Sequence, residues 1–169
     1  MDGTRATLLE ALGLKELDRA GWLRKGIESP ESVAAHSWGV AWLVSVLCPP
    51  SVDRGHAVEM AVVHDVAEVR VGDITPVDGV PAADKEASER AAIQAITGPL
   101  GFAGTRVVGL WEEFEAQVTD EARFVRLCDK LDMALQSVVY SERTEEDLSE
   151  FRVTAQQLCA DWGFQGLLP

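Results

Sequence analysis

One histidine and three carboxylate side chains lie in a segment that otherwise has largely the make-up of a hydrophobic core, residues 61–76 with the sequence AVVHDVAEVRVGDITP. His64 and Asp65 are adjacent in this segment. Glu68 follows three positions after the aspartate, and Asp73 five positions after the glutamate. Imidazole and carboxylate groups that point into an apolar interior are costly unless they are paired or bind a metal. The segment therefore predicts a metal site or acid–base chemistry.

Two further polar side chains are predicted to face the interior from other helices. At 100° per residue, His36 lies on the apolar stripe that contains Val40. Asp129 falls on a buried arc between Val125 and Met133. Combined with the adjacent histidine and aspartate, these groups form a set of nitrogen and oxygen ligands that suits a divalent transition metal or a magnesium-like ion. A single histidine on an apolar face is usually a hydrogen-bonded core residue, so the prediction depends on the complete set.

Helical periodicity dominates the rest of the chain. The expected helices cover residues 4–18, 30–47, 53–69, 83–97, 105–117, 120–142 and 144–161. Ser29 and Pro30 are well suited to the N-cap and first position of the second helix. Segments 19–29 and 71–81 are expected to be irregular. Because no alternating strand pattern occurs, we predict an all-α, compact multi-helix fold in a single domain over residues 1–169.

Several other side chains are predicted to have structural roles, on the surface, in the core or at an interface. One side of the helix over residues 120–142 is expected to face solvent through Arg123, Arg126, Lys130 and Ser137. Four tryptophans are predicted to be core or dimer-interface aromatics, namely Trp38, Trp42, Trp111 and Trp162. His56 has no acidic residue on its own helix face and is predicted to be structural or on the surface.

The bulk composition restricts the class of protein. The 169 residues carry a formal net charge of −13, and so acidic a surface repels the nucleic acid backbone, so no nucleic-acid partner is expected. No apolar stretch reaches the roughly 18 residues of a membrane span, so no membrane partner is expected either. The N-terminus lacks the order of a secretion signal. Three widely spaced cysteines fit reduced thiols, and hence a cytoplasmic location.

Four stretches of the chain resemble one known family. They are PESVAAHS at 30–37, HDVAEVRVGDITP at 64–76, DKEASE at 84–89 and FVRLCDKLDMALQ at 124–136. Together they are similar to the HD-domain metal-dependent phosphohydrolases, in the 5′-deoxynucleotidase branch. The similarity runs from about residue 19 to residue 140. A histidine–aspartate pair alone is a weak signal, whereas the string HD-x-x-E-x-x-x-x-GD-x-x-P with an upstream histidine is much more specific.

The resemblance implies a divalent metal ion, such as Co²⁺, Mn²⁺ or Mg²⁺, as the cofactor. Its ligands would be His36, His64, Asp65 and Asp129. It also implies that Glu68 and Asp73 are catalytic. Glu68, one helical turn past the second histidine, would take a proton from the attacking water. Asp73, on a glycine-containing loop, would protonate the leaving oxygen if its pKa were raised.

The same resemblance implies a set of substrate-binding residues. Arg19 is the best match to an arginine that orients the substrate phosphate, with Arg24 and Lys25 as competitors. Trp22 would flank the base or sugar. Thr75 is expected to stabilise the turn at Thr75-Pro76 and also to contact the substrate.

The implied activity is metal-dependent hydrolysis of (deoxy)ribonucleoside 5′-monophosphates to nucleoside and phosphate, in a homodimer. The alternatives are a phosphatase for a modified nucleotide in a biosynthetic pathway and a non-catalytic nucleotide-binding sensor. An oxygenase with two irons would need additional histidines, and only His56 is left. Two departures from the family pattern are Ala35, where many members have Asp, and Val139, where an acidic residue is usual. Ala35 in particular would remove a contact that orients the imidazole of His36.

Overall fold

The computed structural model of the chain describes residues 2–168, and these form nine α-helices. The helices are α1 (Asp2–Ala11), α2 (Ala20–Arg24), α3 (Val33–Leu47), α4 (Arg54–Val63), α5 (Glu68–Val71), α6 (Ala82–Thr97), α7 (Phe102–Ala116), α8 (Asp120–Ser141) and α9 (Glu150–Asp161). Within this range the only β pairing is an isolated bridge between Asp18 and Ser32. The predicted all-α fold class is therefore confirmed.

Helix α8 lies at the centre of the molecule, where it packs against α3, α4, α7 and α9. Its N-cap is Thr119, whose Oγ1 accepts a hydrogen bond from the Ala122 N–H at 3.2 Å. Leu127, Cys128 and Leu131 are fully buried in the main core. The predicted helix over residues 120–142 is confirmed, and it supplies the rigid element on which one side of the site is built.

Helix α3 begins later than the sequence predicts. Ser29 has a φ of 51°, whereas an N-cap residue has extended backbone. The cap is instead Ser32, whose Oγ accepts a hydrogen bond from the Ala35 N–H at 3.2 Å. Ser32 has extended backbone and forms the isolated bridge with Asp18, and the Val33 N–H donates to the Leu17 carbonyl at 2.8 Å. The predicted start at residue 30 is therefore wrong by three residues.

The predicted helix over residues 53–69 is interrupted where the ionisable side chains lie. Helix α4 ends at Val63 and α5 begins at Glu68. Between them the Val66 N–H donates to the Val63 carbonyl at 3.1 Å, and the Glu68 N–H to the Asp65 carbonyl at 3.0 Å. These three-residue turns are tighter than an α-helix. They redirect successive side chains, so that the ionisable groups of the turn reach a common cavity.

The first part of the chain also departs from the prediction. Helix α1 ends at Ala11 instead of residue 18 and is followed by a 3-10 turn. Gly13 in that turn packs so closely on α5 that an added Cβ would lie 2.8 Å from Val69 Cγ2. Segment 19–29, predicted to be irregular, contains the short helix α2. Both differences come from tertiary contacts that local periodicity does not encode.

The last helix, α9, begins at Glu150 instead of residue 144. Thr144 Oγ1 accepts a hydrogen bond from the Glu146 N–H, and Asp147 Oδ1 accepts one from the Ser149 N–H. Such side-chain bonds to nearby backbone groups compete with helix formation. Across residues 2–168, none of the helices combines the length and apolar character that crossing a bilayer requires.

The four tryptophans that were predicted to be core or dimer-interface residues differ in their surroundings. Trp111 is fully buried, as predicted for a core residue, and the ring of Trp162 lies 5.1 Å from that of Phe124. Trp38 and Trp42 are 70% and 55% exposed on α3, with their rings stacked at 6.4 Å. These two are not core residues, and dimer contact remains their predicted role.

Candidate metal centre and substrate cavity

The four predicted metal ligands come together from three parts of the chain: α3, the turn between α4 and α5, and α8. His36 Nε2 lies 3.3 Å from Asp129 Oδ1 and 3.7 Å from Asp65 Oδ2. His64 Nε2 lies 3.2 Å from the same Asp65 oxygen. Three of the ligand atoms, from His36, His64 and Asp65, fall within 4.8 Å of one another. Both imidazoles and Asp129 are buried.

The two imidazoles are held so that their Nε2 atoms face this centre. His64 Nδ1 is 2.8 Å from the Ala61 carbonyl oxygen, which can only accept, so Nδ1 carries the proton. His36 Nδ1 is 2.8 Å from Asp132 Oδ2 and donates to it in the same way. Among the described residues, neither Nε2 has a hydrogen-bond partner. Buried, unpartnered nitrogens beside carboxylate oxygens fit a divalent metal ion.

Asp132 was not identified from the sequence, although its position held a signal. It lies three residues after Asp129 and therefore on the same face of α8. Room for its carboxylate comes from Gly39 on α3, because an added Cβ there would overlap Asp132 Oδ1. Ala35 is exposed. Asp132 thus supplies a contact that orients the His36 imidazole, although residue 35 is alanine.

The charges at the centre perturb one another. Burial alone would lower the pKa of His36, as would the nearby Arg19, but the carboxylates of Asp129 and Asp132 raise it to about 9. Burial acts to raise the pKa of Asp65, yet His64 and Arg19 hold it well below its ordinary value. These shifts show that carboxylates dominate the electrostatics of the centre, and a divalent ion bound there would neutralise part of that negative charge.

Arg19 extends this network toward the cavity. Its Nη1 lies 3.4 Å from Asp65 Oδ2, 3.4 Å from Asp73 Oδ1 and 3.9 Å from Glu68 Oε2. Asp73 also accepts a hydrogen bond from the Ala20 N–H at 2.8 Å. Burial would lower the pKa of Arg19, but these carboxylates raise it above its ordinary value. Arg19 is thus a fixed, buried cation beside the predicted metal ligands.

Glu68 differs from the other carboxyl groups of the site in that one of its oxygens is buried without a hydrogen bond to any described residue. Its side chain is buried, and its Oε2 has no hydrogen-bond partner among the described residues. Burial, and then the charges of Asp65 and Asp73, raise the pKa of Glu68 well above its ordinary value. A buried carboxyl group with a raised pKa and a free oxygen is suited to general acid–base chemistry.

A cavity of about 370 Å³ opens from the centre, a volume within the range of small-molecule sites. His64, Asp65, Glu68, Asp73 and Asp129 all line it, together with Arg19, Trp22 and Thr75. All of the predicted site residues except His36, which lies buried behind the cavity, therefore contribute to its wall.

The predicted substrate residues differ in how free they are. The Trp22 ring is 1% exposed, and its Nε1–H donates to Glu31 Oε1 at 2.9 Å. Thr75 caps the turn that follows it through Asp78, as expected from turn chemistry. The Thr75 hydroxyl also accepts a hydrogen bond from Arg24 Nη1 at 3.1 Å. Trp22 therefore presents little surface to a ligand.

Three other predictions need correction or refinement. Ser137 is fully buried instead of facing solvent, and its Oγ donates to the Ala134 carbonyl within α8. Arg126 and Lys130, assigned to the same solvent side, line the cavity. His56 has acidic company after all, from another helix, since its Nε2 lies 2.7 Å from Glu113 Oε2. It lies outside the cavity, which agrees with a structural role.

Comparison with known proteins places this geometry in a family. The HD domain family matches residues 12–161. The 5′-deoxynucleotidase HDDC2 of Xenopus laevis is 38% identical over 130 residues, which cover 76% of this chain and 65% of that protein. The 5′-deoxynucleotidase hdd1 of Schizosaccharomyces pombe is 38% identical over 145 residues, covering 82% of this chain and 73% of that protein.

Solved structures agree with this placement. A conserved hypothetical protein from Pyrococcus furiosus superposes with a TM-score of 0.81 at 28% identity, covering 95% of each chain. A protein from Pyrococcus horikoshii superposes with a TM-score of 0.76 at 32% identity, covering 92% of this chain and 94% of that one. The chain therefore belongs to the HD domain family, in the 5′-deoxynucleotidase branch that its motifs resemble.

Proposed function

We propose that this chain is a metal-dependent 5′-nucleotidase that hydrolyses (deoxy)ribonucleoside 5′-monophosphates to nucleoside and phosphate. The observation that carries the proposal is the pair of buried, unpartnered Nε2 atoms of His36 and His64, which face the Asp65 and Asp129 carboxylates beside a ligand-sized cavity. The names of the relatives, 5′-deoxynucleotidases from frog and yeast, support the same chemistry.

The four residues that would hold the metal are His36, His64, Asp65 and Asp129. A divalent ion held by these residues would neutralise phosphoryl charge and lower the pKa of a bound water. The chain's part is to present two neutral imidazole nitrogens and two carboxylates. Contacts on the far side of each imidazole fix which nitrogen is free.

Arg19 is the residue that we propose to bind the substrate phosphate. Its Nη1 is engaged by carboxylates, whereas its Nη2 donates to the Met133 sulfur at 3.4 Å. Sulfur is a weak acceptor that a phosphoryl oxygen would replace. The competing cations Arg24 and Lys25 are both paired with Glu150, at 3.1 and 3.3 Å. Arg19 is also the buried one of the three, where a fixed guanidinium binds an oxyanion most effectively.

Glu68 and Asp73 are proposed to divide the remaining work. Glu68, with a raised pKa and a free oxygen, would accept a proton from the attacking water. Asp73 has donors on both oxygens, Arg19 on Oδ1 and the Ala20 N–H on Oδ2. We therefore propose that it holds Arg19 in place, and its predicted role as proton donor to the leaving oxygen is the alternative.

Homodimer formation and a cytoplasmic location also stay predictions, to be checked by light scattering and cell fractionation.

The test is phosphate release from a panel of ribo- and deoxyribonucleoside 5′-monophosphates with Mg²⁺, Mn²⁺ and Co²⁺. Replacing His64 by Ala should reduce turnover on the order of a thousand-fold, because a bound metal supplies several kcal/mol of transition-state stabilisation. The matched control is His56→Ala, which removes a histidine paired with Glu113 outside the cavity and should leave turnover nearly unchanged.

Two outcomes would contradict the proposal in different ways. Unchanged turnover in His64→Ala would exclude the site itself. If the wild-type chain turned over none of the mononucleotides with any metal, the non-catalytic sensor or the modified-nucleotide phosphatase would be favoured instead.

A further inference from the structure

Three aromatic residues line the cavity, and they differ in how much surface they offer. Trp22 is 1% exposed and Phe114 is 5% exposed. Phe151, in the first turn of α9, is only partly buried. It lies beyond residues 19–140, the part of the chain that carries the family motifs. Phe151 is therefore the most exposed of these three rings in the cavity wall, and no motif identifies it.

The position of Phe151 is fixed by contacts on two sides. Its ring lies 4.2 Å from the Trp22 ring, at an angle of 41°. The ring approaches α2 closely because residue 21 is glycine, where an added Cβ would lie 3.2 Å from Phe151 Cε1. The preceding residue, Glu150, is held to α2 by Arg24 and Lys25. The start of α9 and α2 thus form one wall of the cavity.

The rest of the cavity wall comes from two groups of elements. Helices α6, α7 and α8 contribute the charged residues Lys85, Glu86, Glu89, Glu115, Arg126 and Lys130. Helix α2 and the loop after α5 contribute Gly21, Trp22, Ile74 and Pro76, together with the charged Arg24 and Asp73. Those two charges already have partners, because Arg24 is paired with Glu150 and Asp73 with Arg19. A nucleobase has a flat apolar face, whereas its phosphate must lie at the proposed metal ligands, so the base is expected beside the Phe151 ring.

We propose that Phe151 stacks on the nucleobase and makes the site selective for nucleotides over sugar phosphates that have no base. This inference rests on the proposed nucleotidase function. Phe151 binds the base in the ground state and the transition state alike, since the base takes no part in bond breaking. Its removal should therefore raise KM and leave kcat nearly unchanged.

The experiment compares Phe151→Leu with the wild-type chain, because leucine keeps the packing on Trp22 and removes the flat ring. KM for a deoxyribonucleoside 5′-monophosphate should rise about tenfold, the scale expected for loss of base–aromatic stacking. Hydrolysis of deoxyribose 5-phosphate, which has no base, should be unchanged. Inhibition by inorganic phosphate, which probes the metal end alone, should also be unchanged. Phe151→Tyr retains a ring and should behave as the wild type.

The matched control is Phe102→Leu, the same substitution at a residue that is 88% exposed and not among those that line the cavity. Equal losses for nucleotide, sugar phosphate and phosphate inhibition would show that Phe151 has only a structural role, and would overturn the proposal. An unchanged KM for nucleotides would also overturn it. Failure of the inference alone leaves wild-type nucleotide turnover intact. If the wild type hydrolysed no nucleotide, the proposed function and the inference would both be refuted.

Discussion

The two ends of the cavity are built in different ways. At the inner end, His36, His64 and Asp129 come from the core helices and the turn after α4, they are buried, and each imidazole is held by a second contact at 2.8 Å. At the outer end, α9 is joined to α2 by the Arg24–Glu150 pair, whose side chains are 35% and 52% exposed. The inner end is thus fixed by buried contacts within the core, whereas the outer wall combines ring packing between Phe151 and Trp22 with ion pairs that solvent screens. Weakening those ion pairs should therefore disturb the outer wall without disturbing the core.

The sharpest way to test the inner end is to disturb the contact that orients His36. Asp132→Asn removes the charge that supports the imidazole, and Gly39→Ala should displace the Asp132 carboxylate from the opposite side. Each should lower metal affinity about 10- to 100-fold, the usual effect of losing a contact behind a metal ligand. Calorimetric titration of the metal-free chain with Mn²⁺ or Co²⁺ measures it directly.

The control for the glycine is Gly109→Ala in α7, where an added Cβ meets no atom within 4 Å. That change should leave metal affinity unaltered and stabilise the helix by up to about 1 kcal/mol. If Asp132→Asn and Gly39→Ala both bound metal as tightly as the wild type, the inner end would be less rigidly specified than the structure indicates.

A second prediction concerns the loss of folding stability that the buried Glu68 carboxylate causes at the inner end. The pKa of Glu68 is raised in the folded chain above its ordinary value of 4.5, so above that pH the folded state binds more protons than the unfolded state. Stability therefore falls as pH rises through this window. Glu68→Gln removes the penalty, so in the presence of a chelator its Tm should exceed that of the wild type by a few degrees at neutral pH and converge with it near pH 4.5.

Glu10 provides a control of opposite sign. Its hydrogen bond with Arg70 lowers the pKa of Glu10, so its contribution to stability is present above its ordinary pKa and is lost as pH falls. Glu10→Gln should thus lower Tm slightly at neutral pH. A Glu68→Gln variant that was less stable than the wild type at neutral pH would contradict the assignment of Glu68 as an unsupported buried carboxyl.

The same division explains what could be predicted from the sequence. Asp129 lay between apolar residues on a strongly periodic helix, and the structure brings it within 3.3 Å of His36. The break after Val63 could not be predicted, because the segment keeps helical periodicity while its hydrogen bonds tighten to three-residue turns. Phe151 could not be predicted either, since its role depends on α9 folding back against α2. Local patterns define the buried helices, whereas long-range contacts define the outer wall.

The smallest expected effect tests whether the outer wall is independent of the inner end. Glu150→Gln weakens two ion pairs, with Arg24 at 3.1 Å and Lys25 at 3.3 Å. Because exposed pairs contribute at most about 1 kcal/mol, Tm should change little, and KM for a nucleotide should rise less than about fivefold. The difference from the wild type should shrink at high salt, which screens these charges. Steady-state kinetics at low and high ionic strength measure KM, which reports on the outer wall. Metal titration of the same variant measures metal affinity, which reports on the inner end. A loss of metal affinity in this variant would mean that a shift of α9 changes the geometry of the predicted metal ligands. The two ends of the cavity would then be structurally coupled and not independent.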